Sequence, residues 1–195
     1  MIKINESFPI FTLETYDPSS QKSMDVSLSE YKGKWLVLFF YPADFTFVCP
    51  TELRDLIKKY PEIRKFNAEV LAVSTDTVYT HKAWAEAERL LQGMQFRMSA
   101  DHAGVLAREL GIFNEKSGMA DRAVYIIDPD GMLRAYEIVT DNIGRSATEI
   151  VRKLKALEYV RNNPGHACPV SWDTDGKDLK KGLDISGKVY EALEK

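Results

Sequence analysis

Short apolar runs alternate along this chain with longer stretches whose apolar positions recur every three to four residues. Runs of the first kind read as strands and stretches of the second as helices. The expected strands are Trp35–Tyr41, Glu69–Ser74, Arg122–Ile127 and Met132–Val139, and the expected helices Pro50–Phe66, Thr80–Gln92, Gly104–Leu110 and Ser146–Asn162. Asp128-Pro129-Asp130-Gly131 is a turn sequence, so the strands on either side of it should form a hairpin. Pro61 should kink or interrupt the first helix near Tyr60, because proline removes a backbone donor and crowds the preceding turn. Ser146 followed by Glu149 is a capping-box element at the start of the last long helix. Phe8–Leu13 and Ser23–Val26 read as a small hairpin or added strands. Strands that alternate with helices imply an α/β fold.

The chain has 195 residues and 45% hydrophobic content, enough for one well-packed domain plus an appendage. Asn162-Asn163-Pro164-Gly165 ends the last long helix, and beyond it Asp, Lys and Gly set the composition. Residues 1–164 are therefore expected to form the domain, and 165–195 a tail that is mobile or docked. The net charge is −3 with no basic stripe, which argues against a nucleic-acid partner. Met1-Ile2-Lys3-Ile4-Asn5 opens without the apolar core of a secretory leader, and no apolar run approaches a membrane span. A cytoplasmic protein with no membrane partner is the expectation. In that compartment thiols are usually reduced, so a disulfide would more readily be catalytic than structural.

There are two cysteines, Cys49 and Cys168, each followed by proline amid polar or turn-forming sequence. Two cysteines alone cannot complete a four-ligand zinc site, and His81, His102 and His166 lack ligand spacing. The strand ending at Tyr41 empties into a turn containing Pro42, and Cys49 stands just before Pro50, which favours a first helical position. A thiol at a helix N-terminus meets unpaired N–H groups and the positive end of the dipole, both of which favour the reactive thiolate. Deprotonation alone is not a sufficient catalyst. An ordinary thiol with pKa about 8.5 is roughly 3% ionised at pH 7, so complete ionisation gains at most about 30-fold. Groups that stabilise transition-state charge are also required. Thr46 offers a hydroxyl three residues upstream, and the chain's many basic residues supply candidate cations.

The sequence Pro42-x-x-x-Thr46-x-x-Cys49, with Phe45, Val48, Pro50, Thr51 and Glu52 beside it, resembles the active-site motif of the peroxiredoxins. Further blocks are similar to that family: Val73-Ser74-Thr75-Asp76 with His81-Lys82-Ala83-Trp84, Arg122 before Val124-Tyr125-Ile126-Ile127-Asp128, and Gly144-Arg145-Ser146. Cys168-Pro169 fits the second cysteine of the typical two-cysteine subgroup, and the spacing resembles its bacterial alkyl hydroperoxide reductase C branch. The resemblance covers nearly the whole chain. It implies a thioredoxin-like fold with N-terminal additions and a C-terminal tail, and reduction of hydrogen peroxide, organic hydroperoxides and often peroxynitrite. Cys49 is then the peroxidatic cysteine, oxidised to a sulfenic acid, and Cys168 of a partner subunit resolves it as a disulfide. A homodimer, assembling into a decamer, and a reductant such as a flavoprotein disulfide reductase or a thioredoxin-like carrier are implied, with no metal and no tightly bound cofactor.

The same resemblance gives each neighbour a role. Thr46 donates a hydrogen bond to the thiolate or the peroxide. Arg122 stabilises the thiolate and the leaving oxygen, Glu52 holds Arg122, and Pro42 shields the pocket. Taken singly, Thr46 could be a helix cap, Arg122 a surface charge, Glu52 a first-turn acid and Pro42 an ordinary turn residue. Arg145 is either a second cation of the site or a loop charge. His81 and Trp84 read as packing or interface residues. A thioredoxin-like dithiol enzyme would need a second cysteine where Glu52 stands. A one-cysteine peroxidase, and a holdase chaperone or peroxide sensor built on the same ring, stay open. The chain lacks a Gly-Gly-Leu-Gly insertion and a Tyr-Phe pair in its last residues. Resistance of Cys49 to overoxidation is therefore expected.

Overall fold

A computed structural model describes residues 2–174 and 176–194 of the chain. Its contacts fall into two units, Met1–Ala147 and Thr148–Lys195. The expected boundary at 164/165 lies inside the second unit.

The first unit is built on a seven-stranded sheet. Its strands are β1 (Thr12–Asp17), β2 (Lys22–Ser27), β3 (Trp35–Phe40), β4 (Ala68–Ser74), β5 (Arg97–Ala100), β6 (Arg122–Ile127) and β7 (Leu133–Val139). The spatial order is β2-β1-β5-β4-β3-β6-β7. β3 runs parallel to β4, and β4 to β5, while every other pair is antiparallel. All six residues of β3 and all six of β6 are buried. Strands covered on both faces need no polar alternation, which is why Trp-Leu-Val-Leu-Phe-Phe is continuous. Leu36, Leu38 and Phe40 project into a core that includes Leu71, Val73, Leu106, Leu110, Tyr125 and Ile127.

The helices are α1 (Cys49–Arg64), α2 (Val78–Ala87) and α3 (Val105–Leu110), with a further helix, α4 (Ala147–Asn162), crossing into the second unit. α1 buries Cys49, Glu52, Leu53, Leu56, Tyr60 and Ile63, a stripe at helical spacing. Pro61 does not interrupt this helix, which continues to Arg64. Pro61 is exposed, so water can serve the carbonyl it leaves free, and the buried stripe on the opposite face carries the helix onward to Ile63. α2 is shorter than expected. It is capped by the Thr77 side chain and gives way after Ala87 to a 3-10 turn over Arg89–Leu91. The N-terminal hairpin exists, but its first strand begins at Thr12, and Phe8 and Phe11 enter the core from irregular backbone.

In the second unit α4 is followed by a short antiparallel pair, His166–Ala167 with Leu179–Lys180, and by α5 (Val189–Glu194). Trp172 is buried and lies 4.8 Å from the Tyr159 ring on α4. Lys155 pairs with Asp173, and the Tyr159 hydroxyl donates to Asp178, so this segment is tied to α4. Among the described residues no helix is long and apolar enough to cross a membrane.

Candidate active site

The sheet register brings the reactive residues together. Phe40 of β3 pairs with Ala123 of β6, so Arg122 stands one position further, level with Tyr41, where the chain leaves β3. The loop 41–48 then carries the chain to Cys49, the first residue of α1, with Pro50 behind it in the first turn. Cys49 is fully buried. Arg122 Nη1 donates to Cys49 Sγ at 3.3 Å and to Glu52 Oε2 at 2.8 Å. A cation and a helix N-terminus therefore converge on one sulfur.

Glu52 stands three residues after Cys49 and organises both cations. Its Oε1 accepts from the Arg145 backbone N–H at 2.7 Å and from Nε at 2.9 Å, and its Oε2 accepts from Arg145 Nη2 at 3.1 Å as well as from Arg122. The side chains of Glu52, Arg122 and Arg145 are at most 3% exposed. Buried charges persist only when paired and hydrogen-bonded, and here one carboxylate fills four acceptor positions. Burial works against the Arg122 charge, but the Cys49 sulfur and Glu52 hold its guanidinium more firmly protonated than usual. Burial pulls Arg145 below the ordinary guanidinium range despite Glu52. The Arg145 guanidinium also lies 3.6 Å over the Phe39 ring. Gly144 lets this loop come close, since a Cβ there would sit 3.3 Å from Val48 Cγ1. Arg145 is thus a buried member of the site and not a loop charge.

Arg122 has a further partner that sequence inspection missed. Its Nε donates to the Asp141 carbonyl at 2.6 Å and its Nη2 to Asp141 Oδ1 at 3.2 Å. Asp141 lies in the loop after β7, and nothing in its local sequence marks it.

Thr46 makes a different hydrogen bond from the one expected. Its hydroxyl donates to the Ala43 carbonyl at 2.8 Å. Nor does it cap α1, whose N-cap is Val48 without a side-chain cap bond. With its proton directed at Ala43, Thr46 offers lone pairs, not a donor, to a bound group. Pro42 is buried on the same loop. The loop is anchored by a buried network. His81 Nδ1 is 2.8 Å from Asp44 Oδ2, the Tyr41 hydroxyl donates to Asp44 Oδ1 at 2.7 Å, and Asp44 N–H donates to Asp76 Oδ2 at 2.8 Å. Burial raises the Asp44 carboxyl above the usual range while His81 opposes the shift. His81 and Trp84 are fully enclosed, and Trp84 packs near Tyr41 and Phe45. Asp44, the hub of this network, also escaped sequence inspection.

Cys168 lies in the second unit, half-buried, with Sγ 3.8 Å from the Ala156 carbonyl. Burial pushes its thiol up, Asp178 adds to the shift and Arg152 opposes it. Both cysteines are free thiols. No group of three or more His, Cys, Asp or Glu residues suited to a metal occurs among the described residues.

Comparison with known proteins agrees with this geometry. Residues 4–136 match the AhpC/TSA family model. The chain is 46% identical over 171 residues to alkyl hydroperoxide reductase C of Amphibacillus xylanus, covering 88% of this chain and 91% of that protein. It superposes on the crystal structure of Enterococcus faecalis AhpC with a TM-score of 0.82 at 43% identity, over 87% of this chain and all of that one. The reduced 2-Cys peroxiredoxin of Plasmodium vivax gives a TM-score of 0.89 at 27% identity, over 94% and 96% of the two chains. With a thiol, a paired arginine and a shared carboxylate placed on this α/β frame, the chain belongs to the AhpC/TSA family and is a peroxiredoxin, an enzyme of the peroxidase class.

Proposed function

We propose that this protein reduces hydrogen peroxide and organic hydroperoxides through Cys49, with Cys168 of a partner subunit closing the cycle as a disulfide. The observation that carries this is the Arg122 guanidinium bonded at once to the Cys49 sulfur and to Glu52. The thiolate attacks one peroxide oxygen, and the O–O bond breaks heterolytically. The electron pair leaves with the second oxygen, which takes a proton and departs as water or an alcohol. Cys49 is left as a sulfenic acid. Arg122 holds charge on the sulfur before the reaction and meets charge growing on the departing oxygen during it. Thr46, its own proton spent on Ala43, accepts the hydrogen bond of the incoming peroxide O–H.

Glu52 and Arg145 act through Arg122 and are positioning residues. Pro42 and the Asp44–His81 anchor hold the loop that closes over the sulfur. Cys168 suits the second step because burial keeps its thiol protonated, and a thiol is a poor target for peroxide. Once it ionises it attacks the Cys49 sulfenic acid, the S–O bond breaks and water leaves. A disulfide reductase, a flavoprotein or a thioredoxin-like carrier, then restores both thiols in the cytoplasm. The working form is a homodimer that assembles into a decamer.

The test is a single addition of one equivalent of peroxide, followed by mass spectrometry and non-reducing gels. The wild type should give a Cys49–Cys168 linked dimer. Cys168→Ser should stop at a single sulfenic acid, and Cys49→Ser should consume no peroxide. A wild type that suppresses aggregation of a client protein but leaves peroxide untouched would mark a holdase instead.

A further inference from the structure

The guanidinium of Arg122 has five N–H donors, and the structure accounts for four. Nε serves the Asp141 carbonyl, Nη1 serves Cys49 and Glu52, and one hydrogen of Nη2 serves the Asp141 carboxylate. Asp141 therefore fixes the plane of the guanidinium and leaves the second Nη2 hydrogen for a ligand. Its carboxylate differs from the other charges here in one respect. Glu52, Arg122 and Arg145 are buried, whereas the Asp141 side chain is 67% exposed.

The charges around the sulfur do not cancel. Arg122 and Arg145 face Glu52, Asp141 and the Cys49 thiolate, and Glu137 of β7 also acts on Arg145. In its reactive form the site is negative. Asp141 is the member of this set whose carboxylate is mostly in water, and it lies at the rim of the Arg122 pair. The two contacts to Arg122, at 3.3 and 3.2 Å, are bridged by a guanidinium edge of about 2.3 Å. The Asp141 oxygen is thus no more than about 9 Å from the sulfur, near the screening length at physiological salt.

From this geometry we infer that Asp141 is a specificity-determining residue, which turns the site toward uncharged hydroperoxides and against those that carry a carboxylate. The inference rests on the peroxidase reading above and adds the charge class of its substrate. A carboxylate brought to this rim meets a like charge across a water-rich gap, which changes relative rates by about two- to fivefold.

The probes are a short hydroperoxy carboxylic acid and its methyl ester, which differ in charge at the same reactive group. Rate constants for Cys49 oxidation are measured by stopped flow in the wild type, Asp141→Asn and Asp141→Ala. The wild type should favour the ester. Asn keeps an acceptor for Arg122 but lacks the charge, so the acid-to-ester rate ratio should rise about two- to fivefold. In the wild type the same ratio should climb toward its Asp141→Asn value as salt is raised, and this salt dependence should shrink in Asp141→Asn, which a structural role for Asp141 would not produce. A ratio that is the same in wild type and both variants, or a wild-type ratio indifferent to salt, overturns the inference while leaving the peroxidase intact. A wild type that oxidises on neither probe overturns both. Should either variant fold poorly, Asp141→Ser, which also removes the charge, takes its place in the same ratio and salt series.

Discussion

Arg122 places one nitrogen, Nη1, 3.3 Å from Cys49 Sγ while that nitrogen also serves Glu52. The cation is therefore pinned to the sulfur by a carboxylate that belongs to the same helix as the thiol. Removing the guanidinium should do more than reduce the thiolate fraction. Arg122→Ala should slow Cys49 oxidation by peroxide about 10²- to 10³-fold, the cost typical of losing one transition-state donor. Alkylation by iodoacetamide, which needs the thiolate but breaks no O–O bond, should fall by much less. Equal losses in the two reactions would leave Arg122 only an ionising role.

Glu52 is the group on which both buried arginines depend. Glu52→Gln keeps the shape but leaves two guanidinium groups, each almost wholly buried, around a neutral amide. Breaking a buried pair from one side typically costs about 3–5 kcal/mol. Equilibrium denaturation should show a loss of about 3 kcal/mol, with peroxide turnover falling in parallel because Arg122 is no longer held. A variant as stable as wild type would mean that water already screens this cluster.

How much of this was legible in the sequence depended on whether a residue's role was local. β3, β6 and the hairpin joining β6 to β7 could be read because strands buried on both faces are continuous apolar runs and the Asp-Pro-Asp-Gly turn is unambiguous. Phe8 and Phe11 misplaced the first strand because core burial and strand pairing leave the same apolar mark. Pro61 misled because its effect depends on which side of the helix it faces. Cys49, Glu52 and Arg122 were recognisable as a motif. Arg145 was undecided, since a charge does not announce its burial. Asp141 and Asp44 carried no signal, because Asp141 acts on Arg122 across 19 positions and Asp44 joins neighbouring Tyr41 to His81, 37 positions away.

The second cysteine supplies a pH signature. Burial raises the Cys168 thiol above its ordinary value, so below that value its reactive thiolate increases about tenfold per pH unit. In rapid mixing with peroxide, disulfide formation should therefore accelerate steeply between pH 6 and pH 8. The sign follows from attack by the thiolate, since raising pH can only add to that form. A resolution step that is flat with pH would mean that Cys168 ionises only after a rearrangement that removes its burial.

On the proposed cycle the Cys49 sulfur must also become reachable. Cys49 is 0% exposed, and a disulfide needs sulfurs about 2.05 Å apart, so the first turn of α1 has to open before any partner thiol bonds to it. The backbone of that turn is lightly held, and its opening must release the Glu52 side chain from Arg122 and Arg145. Pro50 has no N–H to donate, Thr51 and Glu52 both donate to the Val48 carbonyl, and the Thr46 hydroxyl is fastened to the Ala43 carbonyl. Leu56 and Ile63, buried to 1% or less, anchor the later turns and should stop the unwinding before them. Hydrogen exchange on the reduced and the disulfide forms should show new exposure across residues 46–53 and unchanged protection from Leu56 to Arg64. Equal protection of 46–53 in both forms would place the movement elsewhere and require Cys49 to be resolved without leaving its pocket.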